Sequence, residues 1–151
     1  MISLATARQL KAAGLTWVPV LFDFFAIPDR NMDDKVFVIS DMLVTVDLLQ
    51  GLQVVSFQGA SEWALDSLVT TDAVWMPTEA QIRQALEGAL LASERPEVRL
   101  TSSLAGYRCD FQFDGQQLAV ESNDASEAYA AALLHVLTAS SSYGPLDGNG
   151  L

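Results

Sequence analysis

The chain has 151 residues, enough for one domain with a sizeable core and too few for a second. Its 19 acidic side chains against 8 Lys and Arg leave a net charge of -11, which argues against direct nucleic-acid binding, because affinity for a phosphate backbone is built from cations that displace counterions. One cysteine excludes an internal disulfide and a cysteine-rich zinc site, and no segment reaches the roughly 20 consecutive apolar residues of a membrane span.

Half of the residues are apolar and mean hydropathy is +0.25, more than one small core readily hides, so self-association as a homodimer is expected. The first residues, Met1-Ile2-Ser3-Leu4-Ala5-Thr6-Ala7-Arg8, lack the basic start and long apolar run of a secretory signal, and a cytoplasmic location is the expectation.

Ser3 is placed to cap a short helix over residues 4–13, with Ala7 and Leu10 inward and Gly14 ending it. Trp17, in the connector that follows, is expected to fold back as a lid whose N–H finds an acceptor. Residues 21–27 read as a strand in which Asp23 points to solvent by alternation, stopped by Pro28-Asp29-Arg30-Asn31. Val36-Phe37-Val38-Ile39 is apolar throughout and predicts an inner strand covered on both faces. Residues 44–46 and 53–57 predict two more strands, and 60–68 a short helix.

Val74-Trp75-Met76 reads as a buried strand feeding a helix that starts at a capping box, Thr78 with Gln81. Ile82, Ala85, Leu86, Ala89 and Leu90 form its apolar stripe, Glu79 is positioned to pair with Arg83, and Pro96 forbids continuation. After a strand opening at 98–101, Tyr107, Cys109, Phe111 and Phe113 alternate with Arg108, Asp110, Gln112 and Asp114, the signature of a strand buried on one face. Asp114-Gly115 is a hairpin turn, and Leu118 and Val120 continue the inner face. Asp124 and Glu127 pair as a cap for a last helix with Ala125, Ala128, Tyr129, Ala132, Leu133, Val136 and Leu137 on one stripe. Residues 1–139 thus form a single α+β domain, a mainly antiparallel sheet with two main amphipathic helices and a short N-terminal one, and 140–151 a flexible Ser/Gly-rich tail.

Motifs for chemistry are sparse. The acidic run 29–34 begins like a calcium loop but has Asp34 where the sixth-position glycine belongs and Ser40 in place of the twelfth-position glutamate. The single histidine, His135, lies off its helix stripe, and Cys109 faces inward, so no nucleophile has a base beside it. Gly59-Ala60-Ser61-Glu62-Trp63 lacks the second glycine of a nucleophile elbow, and phosphate-binding and dinucleotide fingerprints are missing. Asp23, Asp41, Asp66 and Glu79 sit near element ends, where a fold could gather them around magnesium for a hydrolase. An acidic decoy of a nucleic-acid-binding protein is a further alternative.

Leu10-Lys11-Ala12-Ala13-Gly14-Leu15 with Trp17 and Pro19, Val36 to Met42, Glu62-Trp63-Ala64-Leu65-Asp66, Val74-Trp75-Met76-Pro77 and Ala128-Tyr129-Ala130 together resemble a group of small bacterial and phage-borne proteins of unknown biochemical role. Some of that group carry a pilus-assembly label, but this chain lacks the nucleotide-binding loop an ATPase requires, and the resemblance implies no reaction and no site residue. The leading expectation is a noncatalytic binding or accessory module without a cofactor, with a protein partner or a second copy. Trp17, Trp63 and Trp75 are the candidate binding aromatics, and Leu91 and Leu134 the candidate contacts off the helix stripes.

Overall fold

The computed structural model describes residues 1–29, 31–32, 35–40, 44–57, 67–91 and 97–142. In chain order the elements are α1 (Leu4–Ala12), β1 (Phe24–Ala26), β2 (Phe37–Val38), β3 (Val44–Leu49), β4 (Leu52–Phe57), β5 (Ser67–Val69), a 3-10 turn (Thr70–Asp72), β6 (Val74–Trp75), α2 (Glu79–Ala89), β7 (Val98–Ser103), β8 (Gly106–Phe113), β9 (Gln116–Ser122) and α3 (Ala125–Ser142). The fold is α+β, but the strands form three antiparallel sheets of three, ordered β2-β1-β6, β3-β4-β5 and β7-β8-β9, where one sheet was expected.

The β2-β1-β6 sheet is the wall between two apolar clusters. Side chains alternate across a strand, so Ala26 of β1 and Val74 of β6 enter one cluster while Phe25 and Ile27 enter the other. The larger cluster gathers Ile82, Leu86 and Leu90 from α2, Ala128, Tyr129, Ala132, Leu133 and Val136 from α3, and Cys109 and Phe111 from β8. The smaller sets Phe25, Ile27 and Ile39 against Val55 and Leu68 of the second sheet, with Trp17 packed on it. Thus β1 is the strand covered on both faces. The run 36–39, expected in that role, forms the edge strand β2, and Val36 and Val38 are exposed. A continuous apolar run says that a strand is greasy on both faces; it does not say which strand has a neighbour on each side.

A nine-residue helix has too few internal bonds to persist alone, so α1 depends on its anchors. Ser3 caps it through a bond from Thr6 N to Ser3 Oγ at 3.1 Å. The Glu127 carboxylate then accepts from Ser3 N at 2.6 Å and Thr6 Oγ1 at 2.8 Å, an anion at a helix N-terminus. Glu127 was expected to complete the cap of α3. Half of that cap forms, with Glu127 N donating to Asp124 Oδ1 at 3.1 Å, while the side chain serves the other helix. At its far end Lys11 Nζ donates to the carbonyls of Thr71 at 2.5 Å and Ala73 at 2.7 Å.

The Thr78–Gln81 capping box of α2 is formed as expected. Arg83 pairs forward with Glu87 at 2.9 Å, where a backward pair with Glu79 was expected. Strand β8 buries Cys109 and Phe111, and Asp114-Gly115, both at positive φ, make the two-residue turn into β9. The helix predicted over 60–68 ends in residues that are strand, Ser67 and Leu68 of β5, and its remainder lies outside the described residues. Helix α3 runs through Ser142, three residues into the segment read as a tail, with Ser140 and Ser141 hydroxyls bonded to the carbonyls of Val136 and Leu137.

One glycine is fixed by contact as well as by dihedral. Gly106 has φ +123, and a Cβ there would lie 2.6 Å from the Ser122 carbonyl oxygen of the neighbouring strand. Gly106→Ala is expected to lower unfolding stability by about 2 kcal/mol or more. Gly88, exposed in α2 with nothing within 4 Å of such a Cβ, is the contrast: Gly88→Ala should raise stability by ~0.5–1 kcal/mol. Urea titration of the two variants measures both.

Candidate functional site

Asp23 was expected at the surface; it is 2% exposed. Its Oδ2 accepts from Trp17 Nε1 at 2.9 Å and from Val20 N at 3.1 Å, and its Oδ1 from Gln81 Nε2 at 2.6 Å. Alternation fails at this position because Phe22, at φ 70, breaks the strand one residue earlier and turns the carboxylate inward. The same Gln81 accepts from Thr78 N at 2.9 Å through Oε1, so one amide caps α2 and ties it to the strand wall.

With its N–H held by Asp23, Trp17 lies over Phe25 at a ring separation of 5.8 Å, the lid expected from the sequence. Beside it opens a cleft of about 230 Å³ lined by Ala7 and Lys11 of α1, Leu15 to Trp17 of the connector, Thr70 and Thr71 of the 3-10 turn, and Ala73 and Trp75 of the β6 segment. Two of the candidate aromatics, Trp17 and Trp75, therefore share one cleft; Trp63, the third, lies outside the described residues. The cleft contains one charge and no carboxylate among its lining residues. Lys11 is bonded to two carbonyls and has no carboxylate partner among the described residues, whereas Arg8, Arg83 and Arg99 each pair with a carboxylate and Arg108 pairs with two. Trp75 Nε1 is buried without a hydrogen-bond acceptor among the described residues, a state that costs about 1–3 kcal/mol for a polar group. Sequence inspection missed Lys11 and the threonines; their only signal was a basic residue in the last turn of a capped helix, which helix polarity explains equally well.

A second feature lies along the edge of the same wall. Val18, Val20, Leu21 and Phe22 of the connector, Val38 of β2 and Val36 just before it are exposed, and bonds from Phe22 N to Ile39 O at 2.8 Å and from Ile39 N to Asp23 O at 2.9 Å hold the two segments side by side. Phe22 is 71% exposed and in the left-handed backbone region, an uncommon conformation for a bulky residue. Leu48, Leu49 and Leu52 are exposed around the tight β3–β4 turn at Gln50-Gly51. Of the expected contact residues, Leu91 is 74% exposed just beyond α2, while Leu134 is half-buried and packs against the larger cluster.

The carboxylates considered for a metal do not assemble among the described residues: no group of three or more His, Cys, Asp or Glu could hold an ion there. Asp23 has its oxygens engaged, Glu79 is exposed at the start of α2, and Asp41 and Asp66 lie outside the described residues, as do Arg30, Asp33 and Asp34 of the acidic run. His135 is exposed, with its ring edge-on to Phe111 and Phe113 at 6.1 and 6.4 Å. Burial pushes the Cys109 thiol up to about 11, with Asp110 adding repulsion of the thiolate. No helix among the described residues is long and apolar enough to cross a membrane. Compared with known proteins, the chain matches no family model, no curated protein and no solved structure.

Two measurements check these assignments. Asp23→Ala leaves three donors without an acceptor and should cost about 3 kcal/mol, with a red-shifted tryptophan emission as Trp17 loses its anchor; Asp23→Asn, which keeps one acceptor oxygen, should cost less. Cys109 should react with a disulfide reagent at least ~100-fold more slowly in the folded chain than in urea, since a buried thiol offers little thiolate. The sign with pH follows: the unfolded thiol ionises first, so its contribution is complete below its ordinary range near 9 and is lost as pH rises toward about 11.

Proposed function

We propose that this chain is a noncatalytic binding module that works as a homodimer, joined along the apolar edge formed by residues 18–22 and strand β2. The observation that carries this reading is Phe22: a large aromatic kept in a strained backbone conformation and turned to water has no role in the interior of its own chain. Residues of this size expose ~150–200 Å² each when free, so the six exposed side chains offer on the order of 500 Å² per copy, and a two-fold interface would bury about 1,000 Å², the lower bound of a specific contact. An interface of that size belongs to the transient class, with dissociation constants in the micromolar range.

A second copy is favoured over a basic partner by the composition of the patch, which carries no carboxylate among its exposed residues to attract one. The two copies each carry -11, so their attraction must be apolar and works against charge. Association should therefore strengthen as salt is raised from about 20 mM to 0.5 M, because screening removes the repulsion and leaves the apolar term. Phe22→Asn separates the proposed role from a structural one. Asparagine tolerates the left-handed region, so the folded chain should keep its stability or gain up to ~1 kcal/mol, while self-association weakens at least ~10-fold. Sedimentation equilibrium of both proteins at matched salt measures the second quantity and urea titration the first. A monomer throughout the micromolar range at high salt, or a dimer indifferent to Phe22→Asn, overturns the reading.

A further inference from the structure

We infer that the cleft between α1 and β6 is a binding site for a small planar monoanion, an aromatic or heteroaromatic ring bearing one carboxylate. Two observations converge on that ligand, independently of the dimer reading. The walls at Trp17 and Trp75 are aromatic and half-buried, and Trp17 has its N–H occupied by Asp23, so what it offers an occupant is ring surface. Among the described residues the sole charge in the lining is Lys11, with two of its three N–H bonds used on the Thr71 and Ala73 carbonyls and the third left for an acceptor. Trp75 Nε1 is itself buried, so this residue too offers an occupant ring surface.

Charge decides between the two ligand classes that a tryptophan-lined cleft can serve. A quaternary ammonium would be attracted by the rings but repelled by Lys11, with no carboxylate in the lining to offset it. A carboxylate reverses both signs. Size and valence narrow the choice further: about 230 Å³ is below the range of drug-sized pockets and suits a bicyclic ring with a short acidic arm, and one remaining ammonium N–H with the nearby Thr16 and Thr71 matches a carboxylate better than a doubly charged phosphate. The cation is fixed in advance, because its carbonyl bonds hold the ammonium at the cleft wall before any ligand arrives.

The test is calorimetric titration of the full-length chain with indole-3-acetate, its neutral amide indole-3-acetamide, and tetramethylammonium. The acid should bind with a dissociation constant on the order of 100 µM, at least ~10-fold tighter than the amide, and tetramethylammonium should not compete. Lys11→Met, which keeps the apolar stem, should bring the acid down to the affinity of the amide, and Lys11→Arg should restore part of the difference. Circular dichroism and melting identify any variant that loses its fold, and for such a variant the acid-to-amide ratio in the unmodified chain decides alone. Absence of binding by the acid at 5 mM, equal affinity for acid and amide, or preferential binding of tetramethylammonium overturns the assignment.

Discussion

A carboxylate without a cationic partner among the described residues, Asp23, holds the parts of this structure in relation to one another. Placing an ion in a protein interior is unfavourable unless its lone pairs are met, and here three donors meet them at 2.6 to 3.1 Å. Two of the donors, Trp17 Nε1 and Val20 N, come from the connector and the third, the Gln81 amide, from the first turn of α2. The position near the first turn of α2 adds the positive end of that helix's dipole. An apolar residue at 23 would fill the space but leave Trp17 Nε1, Val20 N and the Gln81 amide without acceptors, so the polar residue gives a geometric uniqueness that hydrophobic contact alone would lack.

That anchoring matters because the wall it stabilises is small. Strands β1, β2 and β6 have three, two and two residues, well below the length at which a sheet is self-supporting. What keeps them flat against two separate apolar clusters is burial on both faces of β1, with Phe25 fully buried on one side and Ala26 on the other. Ladder bonds extend past the strand ends, from Met76 N to Phe24 O at 2.8 Å and from Ile39 N to Asp23 O at 2.9 Å. The first continues the β6 edge straight into Pro77 and the capped start of α2, which brings Gln81 within reach of Asp23. Strand pairing, helix capping and the buried ion are thus consequences of one register.

What could be read in the sequence was what depends on neighbours a few residues apart. The capping box at Thr78 and Gln81, the alternating run 107–113 and the Asp114-Gly115 turn are all local patterns, and each stands where the spacing put it. Trp17 as a lid with a bonded N–H was legible because an indole is large, apolar and carries one donor. What was not legible depends on partners distant in the chain: Gln81 for Asp23, 58 residues away, and Ser3 for Glu127, 124 residues away. Both carboxylates looked ordinary in sequence. The division into three sheets was hidden for a related reason, since a run of apolar residues specifies two covered faces or a sticky edge equally well, as β1 and β2 show.

The connector from Leu15 to Phe22 is where these constraints become a surface. It has no regular secondary structure, yet it is fixed at Leu15 N to Leu10 O, at Trp17 and Val20 to Asp23, and at Phe22 N to Ile39 O. A segment held at four points cannot bury every side chain it carries, because a chain pinned inward at Trp17 and Pro19 must turn Val18 and Val20 outward. The inward turn at Trp17 forms part of the wall of the Lys11 cleft, and the outward residues form the apolar edge that ends in Phe22. The strain at Phe22 follows from the same geometry: Asp23 must point inward to receive Trp17 and Val20, and a left-handed residue immediately before it is the backbone's means of doing so. A glycine or asparagine would meet that requirement with less strain, and the presence of phenylalanine at this exposed position is what links the buried ion to the outward-facing apolar edge.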